Sequence, residues 1–180
     1  LSMTTSWESP SNIALIKYWG KRDTQLPCNP SISFTLSKCK TTTEVHFSEG
    51  TGVNITLDGT DKPEFIPKIE GFLERIMHRH PWLSSYNLQI KTRNSFPHSS
   101  GIASSASGMS ALSLCIVEFA QKIDFKFDAL NFYQEASILS RLGSGSASRS
   151  IYGGLVVWGG TPTLENANDE YAIEYPHIID

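Results

Sequence analysis

The sequence predicts an α+β domain, a mixed and mostly antiparallel sheet with helices packed on one face. Three observations lead there. Several short segments alternate apolar and polar residues and are rich in β-branched types, the strand signal. Three longer segments repeat apolar residues every three to four positions, the helix signal. Their order (strands, helix, strand, two helices, strand) is not the regular alternation of a parallel α/β fold. The 180 residues, 39% hydrophobic and 18% charged, suffice for one domain over residues 1–180 with a real core.

The elements follow in order. Ser31–Leu36 sets Ile32, Phe34 and Leu36 against Ser33 and Thr35, a strand. Thr41–Phe47 and Val53–Leu57 are two more, separated by a turn near Glu49–Gly52, and Asp58-Gly59 is a turn dipeptide. Ile66, Ile69, Leu73, Ile76 and Met77 predict a helix, with Pro67 tolerated in its first turn and Pro81 ending it. Tyr86–Lys91 alternates again. A long helix is expected from about Ile102 to Gln121, and another from Asp128, as its N-cap, to Leu142. Gly153–Trp158 reads as a buried strand, 161–170 as loop and Tyr171–Tyr175 as a last strand. There is no internal repeat and no interdomain linker.

Composition narrows the function classes. A net charge of −3 gives no basic face for nucleic acid or an anionic membrane. No apolar run approaches the roughly 18–20 residues of a membrane span, and Leu1–Ser6 lacks the order of a signal peptide. Cys28, Cys39 and Cys115 are odd in number and widely spaced. They predict reduced thiols in a cytoplasmic protein rather than a disulfide framework or zinc site.

Three small-residue or basic segments could carry chemistry. In Asn94–Gly108 a run of Ser, Gly and Ala stands directly before a helix. The free N–H groups and positive dipole end of such a helix, with glycines admitting a ligand to the backbone, make a phosphate cradle. The same residues would also serve as a flexible linker, or as a close-packing helix face through Ala103, Ala106 and Ser110. The Walker, dinucleotide and serine-hydrolase patterns are absent. In Ser11–Arg22 an apolar stretch leads into Lys17 and Lys21 with Tyr18 and Trp19 between them. This is either an anion pocket shaped by aromatics or a solvated strand end. In Gly143–Arg149 a Gly/Ser turn is followed by Arg149, which can grip a carboxylate or phosphate through two N–H groups or form a surface ion pair.

Together the three segments carry a family resemblance. Pro97-His98-Ser99-Ser100-Gly101-Ile102-Ala103-Ser104-Ser105-Ala106 resembles the phosphate loop of the galactokinase, homoserine kinase, mevalonate kinase and phosphomevalonate kinase (GHMP) superfamily. Asn12-Ile13-Ala14-Leu15-Ile16-Lys17-Tyr18-Trp19-Gly20-Lys21-Arg22-Asp23 is similar to the signature of the mevalonate diphosphate decarboxylases. Gly143-Ser144-Gly145-Ser146-Ala147-Ser148-Arg149-Ser150-Ile151-Tyr152-Gly153-Gly154 matches the same family in the same order.

The resemblance implies a GHMP-type N-terminal domain of an ATP- and Mg²⁺-dependent decarboxylase acting on mevalonate 5-diphosphate in isoprenoid synthesis. Phosphorylation of a tertiary hydroxyl makes it a leaving group, and carbon dioxide departs with it. By position, Ser99, Gly101, Ala103, Ser104 and Ser105 would bind the nucleotide, with Lys17 nearby. Tyr18, Trp19, Gly20, Lys21, Lys68, Ser144, Gly145, Ser146, Ser148 and Arg149 would bind substrate. Lys21, Ser146 and Arg149 would act in catalysis, Arg149 by holding the carboxylate; metal ligands are not assigned.

Departures from the family pattern are His98 and Ile102 in the loop, Pro30 in place of Ser, Lys68 in place of Arg, and Ser148 in place of Cys. The family's catalytic Asp, in an Asp-Ala-Gly-Pro-Asn segment, has no counterpart beyond Asp128-Ala129. The expectation is therefore an N-terminal part without its C-terminal domain, inactive alone, with a homodimer formed in the full-length protein. A kinase or decarboxylase acting on mevalonate or its monophosphate, or a non-catalytic ligand-binding module, are the alternatives.

Overall fold

The structure, a computed structural model, describes residues 1–97 and 104–177. β1 (Met3–Ile16) opens the chain, followed by a small hairpin of β2 (Lys21–Arg22) and β3 (Leu26–Pro27). Next come β4 (Ser31–Glu49), β5 (Val53–Leu57), β6 (Thr60–Asp61), α1 (Ile66–Ile76) and β7 (Tyr86–Asn94). α2 (Ser104–Lys122), α3 (Phe132–Gly143), a 3-10 turn over Gly145–Ser150, β8 (Leu155–Trp158) and β9 (Ile173–Glu174) complete it.

Seven strands form one sheet in the order β6-β5-β7-β4-β8-β9, with β1 also paired to β4. All its pairings are antiparallel except β5 with β7. This is the expected mixed, mostly antiparallel sheet. Its organising element is β4, which joins the two separate segments Ser31–Leu36 and Thr41–Phe47 into one strand. β1 runs along one edge of it, with a register break between the Pro10↔Lys40 and Asn12↔Thr35 pairs. Along the other edge Ser31–Phe34 pairs β8 and Thr41–Glu49 pairs β7.

One face of the sheet is buried. Thr41, Thr43, Val45 and Phe47 alternate inward on β4, and Leu88 and Ile90 do so on β7. They meet Phe72 and Ile76 of α1, Ile116 and Phe119 of α2, and Leu139 of α3 in one cluster. Phe47 stacks on Phe119 at 4.1 Å between ring centroids. Where β1 faces α2 the contact is polar. The Thr5 hydroxyl donates to the Cys115 carbonyl at 3.1 Å, and that of Ser9 to Ser110 Oγ at 3.1 Å.

Two expectations are corrected, and one strand is added to them. β1 carried no apolar alternation and was not anticipated. The N-cap of α3 is Asn131, not Asp128. Its side chain accepts the Gln134 N–H at 2.9 Å while the Gln134 side chain takes the Leu130 N–H at 2.7 Å, a reciprocal cap that Asp128 stands too far upstream to make. The last strand is only Ile173–Glu174.

Candidate functional site

The site is built where β1, β4, β8 and the Gly145–Ser150 turn converge. Ser31 and Trp158 lie opposite one another in the β4–β8 ladder. From β1, Asn12 reaches into the turn, its side-chain N–H₂ donating to the Ser146 carbonyl at 3.1 Å and to Ser150 Oγ at 2.6 Å. These contacts hold the turn so that Arg149 points inward. Its Nη1 donates to Ser31 Oγ at 2.5 Å and its Nη2 to Asn12 Oδ1 at 3.3 Å. Arg149 is 3% exposed, and its Nε has no hydrogen-bond partner among the described residues. Among the described residues no carboxylate pairs with it. Burial pushes its pKa down to about 10, against a smaller upward pull from Tyr18. A buried cation supported only by neutral groups is costly unless an anion joins it.

Tyr18 roofs this cation. The Arg149 Cζ lies 5.7 Å from the Tyr18 ring centroid and the Lys21 Nζ 5.9 Å from it. Edge-on packing against Trp158, at 4.9 Å, fixes the ring. Burial lowers the Lys21 pKa, and the positive charge of Arg75 lowers it further, so a second anion-seeking charge stands beside the first. Arg75 is held by its Nε donating to the Leu142 carbonyl at 2.7 Å. Gly145 lies under both Lys21 and Trp158. A Cβ there would stand 2.8 Å from the indole and 3.3 Å from Lys21 Cε.

Tyr18, Lys21, Gly145, Ser146 and Arg149 are thus brought together from distant parts of the chain. Ser144 Oγ lies 3.5 Å from Ser146 Oγ, and both are half-buried. Ser148 is buried and donates to the Gly145 carbonyl at 2.8 Å, so its hydroxyl supports the turn. Gly20 takes φ +74 to turn the chain into the hairpin. Trp19 is not gathered in. Its indole is 78% exposed, and its backbone N–H donates to Asn29 Oδ1 at 2.5 Å. Lys17 is exposed and tied only through its carbonyl, which accepts from Asn29 Nδ2 at 3.1 Å.

Lys68 stands apart, exposed on α1 at the rim of an apolar cavity of about 210 Å³. Ile55, Leu57, Ile90, Met109 and Leu112 line that cavity, with Asn94 among its polar residues. Gly108 and Met109 place it beside the N-terminal half of α2. Ser99, Gly101 and Ala103 lie outside the described residues. Of Ser104 and Ser105 the structure describes the helical backbone that starts α2. No group of three or more His, Cys, Asp or Glu that could hold a metal ion occurs among the described residues. No helix among them is long and apolar enough to cross a membrane.

Sequence reasoning missed Asn12, Ser31, Trp158 and Arg75 as parts of this site. Asn12 heads the basic-aromatic segment and Trp158 ends a strand predicted as buried, so both were visible as residues but not as neighbours.

Residues 9–169 match the model of the diphosphomevalonate decarboxylase-like N-terminal domain. The chain belongs to that family. A diphosphomevalonate decarboxylase of Gibberella zeae is 36% identical over 169 residues, covering 85% of this chain and 42% of the relative. The mevalonate diphosphate decarboxylase of Enterococcus faecalis, described by its mevalonate diphosphate mediated ATP binding, is 30% identical with a TM-score of 0.78, covering 98% of this chain and 52% of that one. Another solved chain, a complex with MVAPP, AMPPCP and magnesium, is 30% identical with a TM-score of 0.78, covering 98% and 51%. The chain therefore spans about half the length of the diphosphomevalonate decarboxylases it matches.

Proposed function

We propose that this chain forms the nucleotide- and substrate-binding half of an ATP-dependent decarboxylase that converts mevalonate 5-diphosphate to isopentenyl diphosphate, with ADP, phosphate and carbon dioxide as the other products. The observation that carries the reading is Arg149, a buried guanidinium that has, among the described residues, a free Nε and no carboxylate partner. It suits the substrate carboxylate, gripped by a planar fork of donors. Holding that carboxylate fixes the electron pair that must move as the neighbouring C–C bond breaks and the phosphorylated tertiary oxygen leaves.

The other residues divide the remaining charge. Lys21, beside Tyr18 and Gly145, faces the substrate's oxygen-rich end, and Arg75 adds positive potential behind it. Ser144 and Ser146 offer hydroxyls to the hydroxyl and phosphate region, whereas Lys68, at the rim of the apolar cavity, stands on the nucleotide side. At the other end, the first N–H groups of α2 suit a triphosphate, and the adjoining apolar cavity suits the base. Ser99, Gly101, Ala103, Ser104 and Ser105 would carry the phosphates by the family pattern. Mg²⁺ would arrive on the triphosphate, where it neutralises charge in phosphoryl transfer; the chain's part is to bind the anion and keep water from it.

The family's catalytic Asp segment is not among these 180 residues. We therefore expect the 180-residue chain to bind ligands without releasing carbon dioxide. The protein as its gene encodes it, given Mg-ATP and mevalonate 5-diphosphate, should form ADP and carbon dioxide in equal amounts. ADP without carbon dioxide would mean a kinase and would overturn the role of Arg149. Carbon dioxide release by the 180-residue chain alone would overturn its dependence on a residue from elsewhere.

A further inference from the structure

Lys21 belongs to a hairpin that has little of its own to hold it. β2 and β3 pair through Lys21↔Pro27 and Arg22↔Leu26, with one further backbone bond from the Cys28 N–H to the Gly20 carbonyl at 3.3 Å, and are not part of the main sheet. A two-stranded ribbon this short is unstable by itself. Its tip is also strained: Asp23 and Gln25 adopt φ of 42° and 62°, left-handed values that side-chain-bearing residues rarely take, and the buried Gln25 Oε1 has no partner among the described residues. Such a tip persists only where neighbours over-determine it.

Two fastenings do so, both from the segment between β8 and β9 or the helix under it. Arg141, 6% exposed on α3, donates from Nη1 to the Thr24 carbonyl at 2.5 Å and from Nε to the Glu170 carbonyl at 2.7 Å. Asp169 pairs through Oδ2 with Arg22. Its Oδ1 accepts the Gly160 N–H at 2.8 Å, and its carbonyl accepts the Trp158 indole N–H at 2.8 Å. The segment is itself anchored, since Ala172 donates to Ser137 Oγ of α3 at 2.9 Å. Asp169 therefore joins the hairpin to the same Trp158 that packs on Tyr18 and covers Gly145. The base of the hairpin is held separately by the side chain of Asn29.

We infer that Arg141 and Asp169 are positioning residues for the substrate: without touching it, they clamp the tip of the Lys21 hairpin against the Trp158 wall and so set where Lys21 and Tyr18 stand over Gly145 and Arg149. The inference deepens the proposed function and rests on this pocket taking mevalonate 5-diphosphate. An exposed Arg22–Asp169 pair alone would contribute little. Its importance is that one carboxylate joins three segments, and that a loosely held charge binds less well than a fixed one.

The test compares the wild type with Asp169→Asn, which keeps an acceptor for Gly160 but drops the charge, and with Arg141→Met, which removes both clamping donors. Hydrogen exchange is followed in the peptide covering residues 18–28. Affinities are measured separately for mevalonate 5-diphosphate and for AMPPCP. Asp169→Asn should melt at the wild-type temperature, exchange faster in that peptide, and bind mevalonate 5-diphosphate about tenfold more weakly with AMPPCP affinity unchanged. Arg141→Met should show the same split more strongly if it folds; if it does not, Asp169→Asn decides alone. Unchanged exchange overturns the clamp, and parallel loss of both affinities overturns positioning in favour of general loosening. A wild type that binds no mevalonate 5-diphosphate overturns the positioning role together with the functional reading, and the exchange data then still show whether the hairpin is fastened.

Discussion

At Arg149 function and stability oppose one another. Its folded pKa of about 10 lies below the ordinary guanidinium range, so above about pH 10 the unfolded chain holds a proton that the folded chain sheds. Its charge therefore disfavours folding fully below about pH 10, and that effect fades as pH rises above that value. Arg149→Met, which keeps the length of the side chain and removes the charge, should melt no lower than the wild type at pH 7.5, and should bind mevalonate 5-diphosphate about tenfold more weakly. A large drop in melting temperature would mean that the Ser31 and Asn12 bonds outweigh the buried charge. The cysteines divide as cleanly. Cys115 is fully buried, and that burial pushes its pKa up to about 12, whereas Cys28 is exposed. A thiol reagent at pH 8 should modify Cys28 in the folded chain and Cys115 only after unfolding; mass spectrometry of the labelled peptides decides this.

Among the elements, the 3-10 turn and α3 give the sharpest expectations. Gly145→Ala would put a methyl group 2.8 Å from Trp158, displacing the indole or the Lys21 stem. Substrate affinity should fall about tenfold or more while the fold survives, as calorimetry and circular dichroism would show. Asn131→Ala removes the α3 cap and should cost about 1 kcal/mol in urea unfolding. The helices and most strands were legible because their buried faces are apolar at the right period. β1 was not, because its inward face is built from Thr5, Ser9 and Ser11. The Thr5 and Ser9 hydroxyls meet α2 through hydrogen bonds, and with only Met3 and Trp7 apolar at the alternating positions there is too little hydrophobic alternation to read. The α3 cap was legible in principle, since Asn131 stands three residues before Gln134, but Asp128 offered an equally good cap residue and only packing chose between them.

Across the whole molecule, one buried polar network ties the segment that follows α1 to α3. Glu135 is fully buried. It accepts from Arg79 Nε at 3.0 Å, from Arg79 Nη2 at 2.6 Å and from His80 Nε2 at 2.9 Å, and the Trp82 indole N–H donates to His80 Nδ1 at 3.1 Å. Burial would raise the Glu135 pKa, but the hydrogen bonds from His80 and Arg79 outweigh it and hold it below the ordinary carboxylate range. Its contribution is thus present at neutral pH and lost as pH falls through that lowered value. Glu135→Gln should cost about 3–5 kcal/mol at pH 7 and flatten the acid limb of the stability curve; equal stability of both proteins at neutral pH would contradict this. The site was legible in a different way from the fold. Its residues could be named because the Asn12–Asp23 and Gly143–Gly154 segments carry a family pattern. No periodicity showed that Tyr18, Arg149 and Trp158 touch, because that contact depends on how β4 pairs β1 on one edge and β8 on the other. The most direct measurement titrates the chain with mevalonate 5-diphosphate and with isopentenyl diphosphate, which lacks the carboxylate, in the wild type and in Arg149→Met. The account predicts tighter binding of the acid by about tenfold or more, an advantage that disappears in the variant. Equal affinity for the two ligands in the wild type would contradict it.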